Sequence, residues 1–286
     1  MYYSYENYND RSKTYTGLRQ PVGMAEQLSH FCEQKTPVKE QTLLDAGCGT
    51  GNYMIQYAKE FKEIRAIDFN EGMLFEARSN LKQDMSLMDS CDIKVTQGSI
   101  IDLKDFKDES VHSICNNQVI HHLRGDDNFA DAKAAFASFY RVLKPGGKLV
   151  LNWVSEDLTL KGTWWGELIS ETVHRWGKRV PSEEEMVKMF KEVGFQDVKL
   201  EPLTGKDQIL YNPELYFNVR SFIDIDNFKR TDSTFSLCTE EELQKAVEKV
   251  KEMDANGTLD TWFADKEKER QTFGQTLNLY ATKPMC

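Results

Sequence analysis

The sequence predicts an α/β protein with a mostly parallel sheet and helices on both faces. Three observations predict it. Short apolar runs of strand length alternate with amphipathic stretches of helix length through the first half of the chain, the pattern of strand–helix–strand crossovers. The run Leu43-Leu44-Asp45-Ala46 ends in alternating glycines, as a buried strand feeding a tight turn does. The length, 286 residues, exceeds a minimal nucleotide-binding domain of roughly 150 residues and suits one large domain, or one domain with an insert.

Taken in order, residues 21–34 read as an amphipathic helix opened by Pro21, 42–46 as a strand and 52–61 as a helix. Residues 63–67 make a strand ending at Asp68, and 71–85 a helix. Residues 92–96 and 111–116 are strands, 128–143 a helix stopped by Pro145-Gly146-Gly147, and 148–153 a strand. In the second half, Pro181, Ser182 and Glu185 open a helix over 182–193 with a capping box, and Gly194 closes it. Residues 195–200 read as a strand and 271–282 as an antiparallel closing strand.

Between them, 205–270 reads as a mainly helical insert folding over the sheet as a lid, with one helix at 240–253 begun by Thr239 and Glu242. Trp164 and Trp165 are assigned to a second, smaller covering element. The expected organisation is an N-terminal helical cap at 1–40, a core at 41–204 and 271–286, and the insert at 205–270.

Composition narrows the function. The net charge of -10 and the lack of a basic cluster disfavour nucleic acid. No apolar run approaches the roughly 18 residues a membrane span needs, and the tyrosine-rich, acidic start does not read as a signal peptide. The expected setting is the cytosol, with no membrane partner and the oligomeric state open. The six cysteines form no C-x-x-C pair, so reduced thiols are expected and a zinc or other metal site is not.

The sharpest signal is Asp45-Ala46-Gly47-Cys48-Gly49-Thr50-Gly51. The glycines permit a tight turn and close approach of a ligand to the backbone, and the following helix start is expected to offer free N–H groups. The spacing is G-x-G-x-G, and Asn52 stands where a dinucleotide fingerprint wants its third glycine. Asp45, two residues before the first glycine, repels a pyrophosphate but suits an ammonium. Asp68, seventeen residues after Gly51, sits where a carboxylate accepts both ribose hydroxyls. A nucleoside-like ligand carrying a cation fits; S-adenosylmethionine is one.

Together with Ala66-Ile67-Asp68-Phe69-Asn70, Gln97-Gly98-Ser99-Ile100, Asn117-Gln118-Val119-Ile120-His121-His122-Leu123 and Arg141-Val142-Leu143-Lys144-Pro145-Gly146-Gly147, this turn resembles the class I S-adenosylmethionine-dependent methyltransferases. The similarity is to the broad branch of ubiquinone and sterol methyltransferases, over about 42–153 and weakly over 182–200 and 274–284. It implies a Rossmann-like core with S-adenosyl-L-methionine as cofactor. It further implies that Gly47 and Gly49 approach the methionine part, with Asp45 facing its ammonium, and that Cys48 and Gly51 belong to the cofactor-binding set. Asp68 then holds the ribose, and Phe69 and Met73 border the adenine. Ser99 and Ile100 meet its edge, and Asn117 and Gln118 close the sulfonium end. Many relatives carry Asp at the Ser99 position. Tyr8, Tyr15 and Arg19 fall in a stretch that often folds over the cofactor, and Arg19 suits the methionine carboxylate.

Methyl transfer is an in-line displacement, and a base is needed only for a protonated nucleophile. His121 and His122 follow the fourth strand, where a substrate lies; His121 is the expected base and His122 its packing partner, although the pair equally suits a structural helix start. Trp153, Trp164, Trp165 and Tyr211 are candidates for the substrate wall. The insert carries fifteen Asp/Glu against ten Lys/Arg and eight aromatics, which suits an amine by cation–π contact or an ordinary core. The fourth-strand tip lacks the signatures of base, glutamine and cytosine methylation. A small-molecule acceptor is the leading reading; a protein methyltransferase, a non-catalytic cofactor-binding scaffold and, more weakly, a dehydrogenase are the alternatives.

Overall fold

The computed structural model describes residues 17–84, 86–123 and 127–285. Seven strands form one sheet: β1 Thr42–Ala46, β2 Glu63–Asp68, β3 Asp92–Gln97, β4 Val111–Asn117, β5 Leu143–Trp153, β6 Gln196–Pro202 and β7 Leu277–Thr282. Their order is β3-β2-β1-β4-β5-β7-β6. β1 to β5 pair in parallel, and β7 runs antiparallel to both β5 and β6. The order reverses between β1 and β4, the switch point beyond whose carboxyl ends ligands bind in open α/β sheets.

Both faces of the sheet are covered, and the strands show it residue by residue. Leu44, Ile114, Leu149, Leu151 and Leu279 face one layer, formed by α5 (Ala130–Val142) and α8 (Glu183–Val193). Their neighbours Leu43, Cys115, Val150 and Tyr280 face the other, formed by α1 (Met24–Cys32), α2 (Asn52–Tyr57) and α3 (Glu71–Leu81). The period of two places each residue opposite the next. A short helix, α4 (Ser86–Ser90), precedes β3.

The third cluster is the cap. It joins α6 (Glu156–Gly162) and α7 (Ser170–Gly177) to the segment carrying α9 (Pro213–Tyr216), α10 (Ile225–Phe228), α11 (Glu240–Ala255) and α12 (Leu259–Phe273) around a common apolar core. The smaller covering element and the insert are therefore one body. α6 also packs tightly on the chain that follows α12 at Gly162, where an added Cβ would lie 2.1 Å from the Gly274 carbonyl oxygen. Both capping boxes form, at Ser182/Glu185 and at Thr239/Glu242.

Two expected boundaries shift. β5 starts at Leu143, with its pairing to β4 broken between Val111 and Ser113 so that Lys144 to Gly147 bulge out. The closing strand starts at Leu277, because α12 runs on to Phe273. That helix escaped the apolar-period criterion because Leu259 and Arg270 are its buried residues. Arg270 is fully buried, paired with Glu267, and donates to the carbonyls of Gly205, Lys206 and Gln208. A charged residue thus does a core residue's task. Among the described residues no helix is long and apolar enough to cross a membrane.

Candidate functional site

β1 delivers the chain into the glycine turn, and the turn is shaped from within. Gly47 adopts φ +86°, and a Cβ there would lie 2.5 Å from Val119 Cγ2, so only glycine fits. The amides of Gly47 and Cys48 both donate to the Ile67 carbonyl at 2.8 Å, and Gly51 donates to the Cys48 carbonyl at 2.9 Å. Gly49 donates to Asp68 Oδ2 at 2.9 Å. The turn's own amides are thus spent inside the protein. Its contribution is clearance and the fixing of Asp68. Cys48 is buried in the adjoining core with its thiol toward the Gly49 carbonyl.

Asp68 ends β2. Its Oδ1 accepts from the Asn70 amide at 2.8 Å. Burial raises its pKa against the stabilising pull of the Asn70, Gly49 and Phe69 amides. A carboxylate has lone pairs beyond those two bonds, so Asp68 is a prepositioned acceptor. Next to it Phe69 is 54% exposed on the rim, and Asn70 caps α3 through the Met73 amide at 3.0 Å. Met73 and Ile100 are buried, and the Ser99 hydroxyl accepts from the Ile101 amide at 3.2 Å.

Asp45, at the end of β1, is 1% exposed and lies beside Cys115 and the Met54 amide. Its Oδ2 is buried with no hydrogen-bond partner. Burial, with Asp68 nearby, pushes its pKa up to about 7. At the tip of β4, Asn117 Oδ1 accepts from Gln27 at 2.9 Å while its Nδ2 is buried without a partner. Gln27, from α1, also accepts from the Tyr57 hydroxyl at 2.7 Å; sequence reasoning missed it, though a glutamine on the buried face of an amphipathic helix is a visible signal. Gln118 has φ +59°, a strained conformation held by two bonds to Asn152.

Beyond Gln118 lies an enclosed polar cavity of about 30 Å³. Its wall comes from the segment before α1 (Arg19), the β4 tip (Gln118, His121), the cap (Thr159, Thr163, Trp176, Tyr211, Asp232) and the approach to β7 (Gln275). Arg19 and Tyr211 form a bridge between the first described residues and the cap. The guanidinium stacks 4.3 Å from the centre of the Tyr211 ring, stands 3.7 Å from Asp232 and donates to the Thr231 carbonyl. The Tyr211 hydroxyl donates to the same carboxylate. Arg19 is thus tied to the cap.

His121 lines this cavity, with its ring 4.0 Å from that of His122. It is 7% exposed, and burial lowers its pKa to about 4, against the pull of Asp232. The ring is neutral at pH 7, with Nδ1 buried and unpartnered. Trp153, Trp164 and Trp165 are not in the cavity wall. Trp153 is fully buried under α6 and α8, and Trp164 and Trp165 stack among the cap's aromatics, Trp164 donating to the Tyr216 carbonyl at 2.9 Å. Large rings serve best where they displace most water. Tyr15, with Tyr8, lies outside the described residues. Asp232, Trp176, Thr159, Thr163 and Gln275 carried no sequence signal, since Asp232 reads as part of a solvated charged run and the others as ordinary surface or core.

The residues present fit S-adenosylmethionine: a cleared turn, a fixed acceptor for two hydroxyls, and a buried carboxylate oxygen beside the turn that still needs a donor. The comparisons agree. A family model described as a methyltransferase domain matches residues 44–151. The chain is 29% identical over 149 residues to a dTDP-3-amino-3,4,6-trideoxy-alpha-D-glucopyranose N,N-dimethyltransferase of Streptomyces venezuelae, across 47% of this chain and about half, 55%, of that protein. It is 30% identical over 183 residues to a demethylmenaquinone methyltransferase of Staphylococcus aureus, across 57% of this chain and 70% of that protein. Among solved structures, one described as a methyltransferase from an antibiotic biosynthesis pathway of Anabaena variabilis shares the fold at TM-score 0.66 and 16% identity, covering 92% of this chain and 98% of that one. The chain belongs to the class I S-adenosylmethionine-dependent methyltransferases.

Proposed function

We propose that this chain transfers a methyl group from S-adenosylmethionine to a small molecule held between the β4 tip and the cap. The observation that carries the reading is Asp68, fixed by the Gly49 and Asn70 amides at the end of the strand next to the glycine turn. Bound S-adenosylmethionine supplies an electrophilic methyl on a sulfonium. Asp68 accepts the ribose hydroxyls, Phe69, Met73, Ser99 and Ile100 border the adenine, and Asn117 and Gln118 flank the sulfonium end. Asp45 Oδ2 takes the ammonium as donor.

The acceptor lies in the cavity lined by His121 and Tyr211. Its closure by the cap favours a small molecule over a peptide, because a peptide needs an open groove. His121, kept neutral by burial, receives the acceptor's proton when it has one to lose. His122 packs against it. The cap excludes water, so the transferred methyl meets the acceptor and not solvent.

The test is calorimetric titration with S-adenosylmethionine and S-adenosylhomocysteine, repeated with Asp68→Ala. Micromolar binding abolished by the substitution supports the reading. Absence of binding by folded protein removes it and favours a scaffold role.

A further inference from the structure

We propose that the acceptor is an uncharged hydroxyl compound, methylated on oxygen. The inference rests on the methyl-transfer reading above and comes from the charges and unmet hydrogen bonds of the cavity wall.

The wall's two charges are spent on each other. Arg19 and Asp232 pair across 3.7 Å, and the Tyr211 hydroxyl completes the carboxylate. Among the described residues neither sign is left over in this wall, so a phosphate or carboxylate meets Asp232 without a free cation, and an ammonium meets Arg19 without a free anion. Either charged ligand would lose hydration that the wall does not replace.

The hydrogen-bonding groups point the same way. The Thr159 hydroxyl donates to the Ser155 carbonyl at 3.0 Å, and the Thr163 hydroxyl to the Thr159 carbonyl at 2.7 Å. Their protons are committed to the helix, which leaves oxygen lone pairs for a ligand. Trp176 is 2% exposed and its Nε1–H, a donor only, has no partner. His121 Nδ1 is likewise buried and unpartnered. A buried donor without an acceptor is costly and marks a place for one. A wall with two unmet donors, Trp176 Nε1 and Gln275 Nε2, beside unmet acceptors is answered by groups that both donate and accept, and a hydroxyl does both. An ammonium cannot satisfy Trp176, and a phosphate dianion cannot satisfy the threonine lone pairs.

The chemistry balances. The acceptor oxygen forms its bond to the methyl carbon as the methyl–sulfur bond breaks. The hydroxyl proton passes to His121 Nδ1, and the products are a methyl ether and S-adenosylhomocysteine. The cavity of about 30 Å³ holds about one water, so the wall must widen for the acceptor to enter, with the Arg19–Asp232 pair kept.

The experiment offers the full chain radiolabelled S-adenosylmethionine with five probes: myo-inositol, methyl glucoside and phenol as neutral hydroxyl compounds, ethanolamine as a cation, and phosphoethanolamine as a phosphate ester. S-Adenosylhomocysteine binding is measured in parallel. Label in a hydroxyl probe is expected, with its KM raised about fivefold by Trp176→Phe, which deletes the N–H and keeps an aromatic ring. S-Adenosylhomocysteine affinity should stay within about twofold. Thr163→Val, nearly isosteric, gives the same KM shift and serves if the tryptophan variant misfolds. Label confined to ethanolamine or phosphoethanolamine, label in no probe by protein that binds S-adenosylhomocysteine, or a KM unmoved by the folded variants overturns the proposal and leaves the methyl-transfer reading standing. Failure to bind S-adenosylhomocysteine overturns the reading beneath it.

Discussion

The two halves of the cleft are built on opposite terms. On the cofactor side, three strand tips and one turn supply the shape, and the Gly47, Cys48, Gly49 and Gly51 amides are spent inside the protein. On the acceptor side, the wall is assembled from remote segments, with 212 residues separating Arg19 from the Thr231 carbonyl it reaches. There Trp176 Nε1 and His121 Nδ1 remain unpartnered. A site on strand tips is rigid before its ligand arrives; one closed by a cap is finished by its ligand. Substitutions on the two sides should therefore separate cofactor affinity from acceptor handling.

The largest expected effect is on the rigid side. Asp68→Ala removes a carboxylate fixed by two amides, and with it charge-assisted bonds worth about 1.5–3 kcal/mol each. S-Adenosylhomocysteine affinity, measured by calorimetry, should fall at least about 100-fold. A loss smaller than about threefold would put the ribose elsewhere and end the comparison.

Arg19→Ala tests the other side. It leaves Asp232 largely buried, with the Tyr211 hydroxyl and the Thr234 amide as remaining partners. Breaking a fully buried pair costs about 3–5 kcal/mol; this pair is partly exposed and loosely spaced, so about 1–2 kcal/mol is expected, read from urea midpoints. Adding Asp232→Asn should recover part of it. Cofactor affinity should move little. An Arg19→Ala loss of cofactor affinity as large as that of Asp68→Ala would return Arg19 to the methionine carboxylate.

The same division explains what the sequence revealed. Asp45, Gly47 and Asp68 lie within one strand–turn–helix–strand stretch, where spacing alone fixes geometry, so the sheet and the glycine turn with its two neighbouring acids were legible. β7 was placed too early because α12 is helical without an apolar face, its core contact being Arg270. The acceptor wall was hardly legible. Asp232 sits in a charged run, and its meeting with Arg19 and Tyr211 depends on how the cap folds back. Trp164 and Trp165 misled for a related reason: position after β5 brought them near the strand ends, while size drew them into the cap's core.

Acidity sharpens the acceptor side. Burial lowers the His121 pKa from 6.5 to about 4, so the folded chain refuses a proton that the unfolded chain takes up. Stability from this group is present above pH 6.5 and is lost as pH falls toward 4, on the order of 3 kcal/mol in all. Stability curves of His121→Gln should be flatter than those of the parent over that window. With an acceptor bound, the acid limb of kcat should lie below pH 6; a limb near 6.5 would mean that His121 is solvated during turnover.

Asp45 gives the smallest effect and reports on the turn itself. Its pKa is raised to about 7 by burial and by Asp68, so the ligand-free fold favours the protonated acid. Its contribution to stability is present at low pH and is lost as pH rises from 3.8 to about 7. An ammonium at the unpartnered Oδ2 reverses the preference, because it needs the carboxylate. Binding must then release a proton below pH 7, and S-adenosylhomocysteine affinity should rise about three- to tenfold from pH 6 to pH 7. The rise levels off near pH 8, where Asp45 is already ionised in the ligand-free chain. Calorimetry in buffers of different ionisation enthalpy counts the proton directly. Asp45→Asn, which cannot ionise, should bind more weakly at pH 7 and without that slope. An affinity that stays level from pH 5.5 to 7 in the parent chain would mean that Asp45 serves the turn alone, holding the Met54 amide and leaving the ammonium to backbone carbonyls.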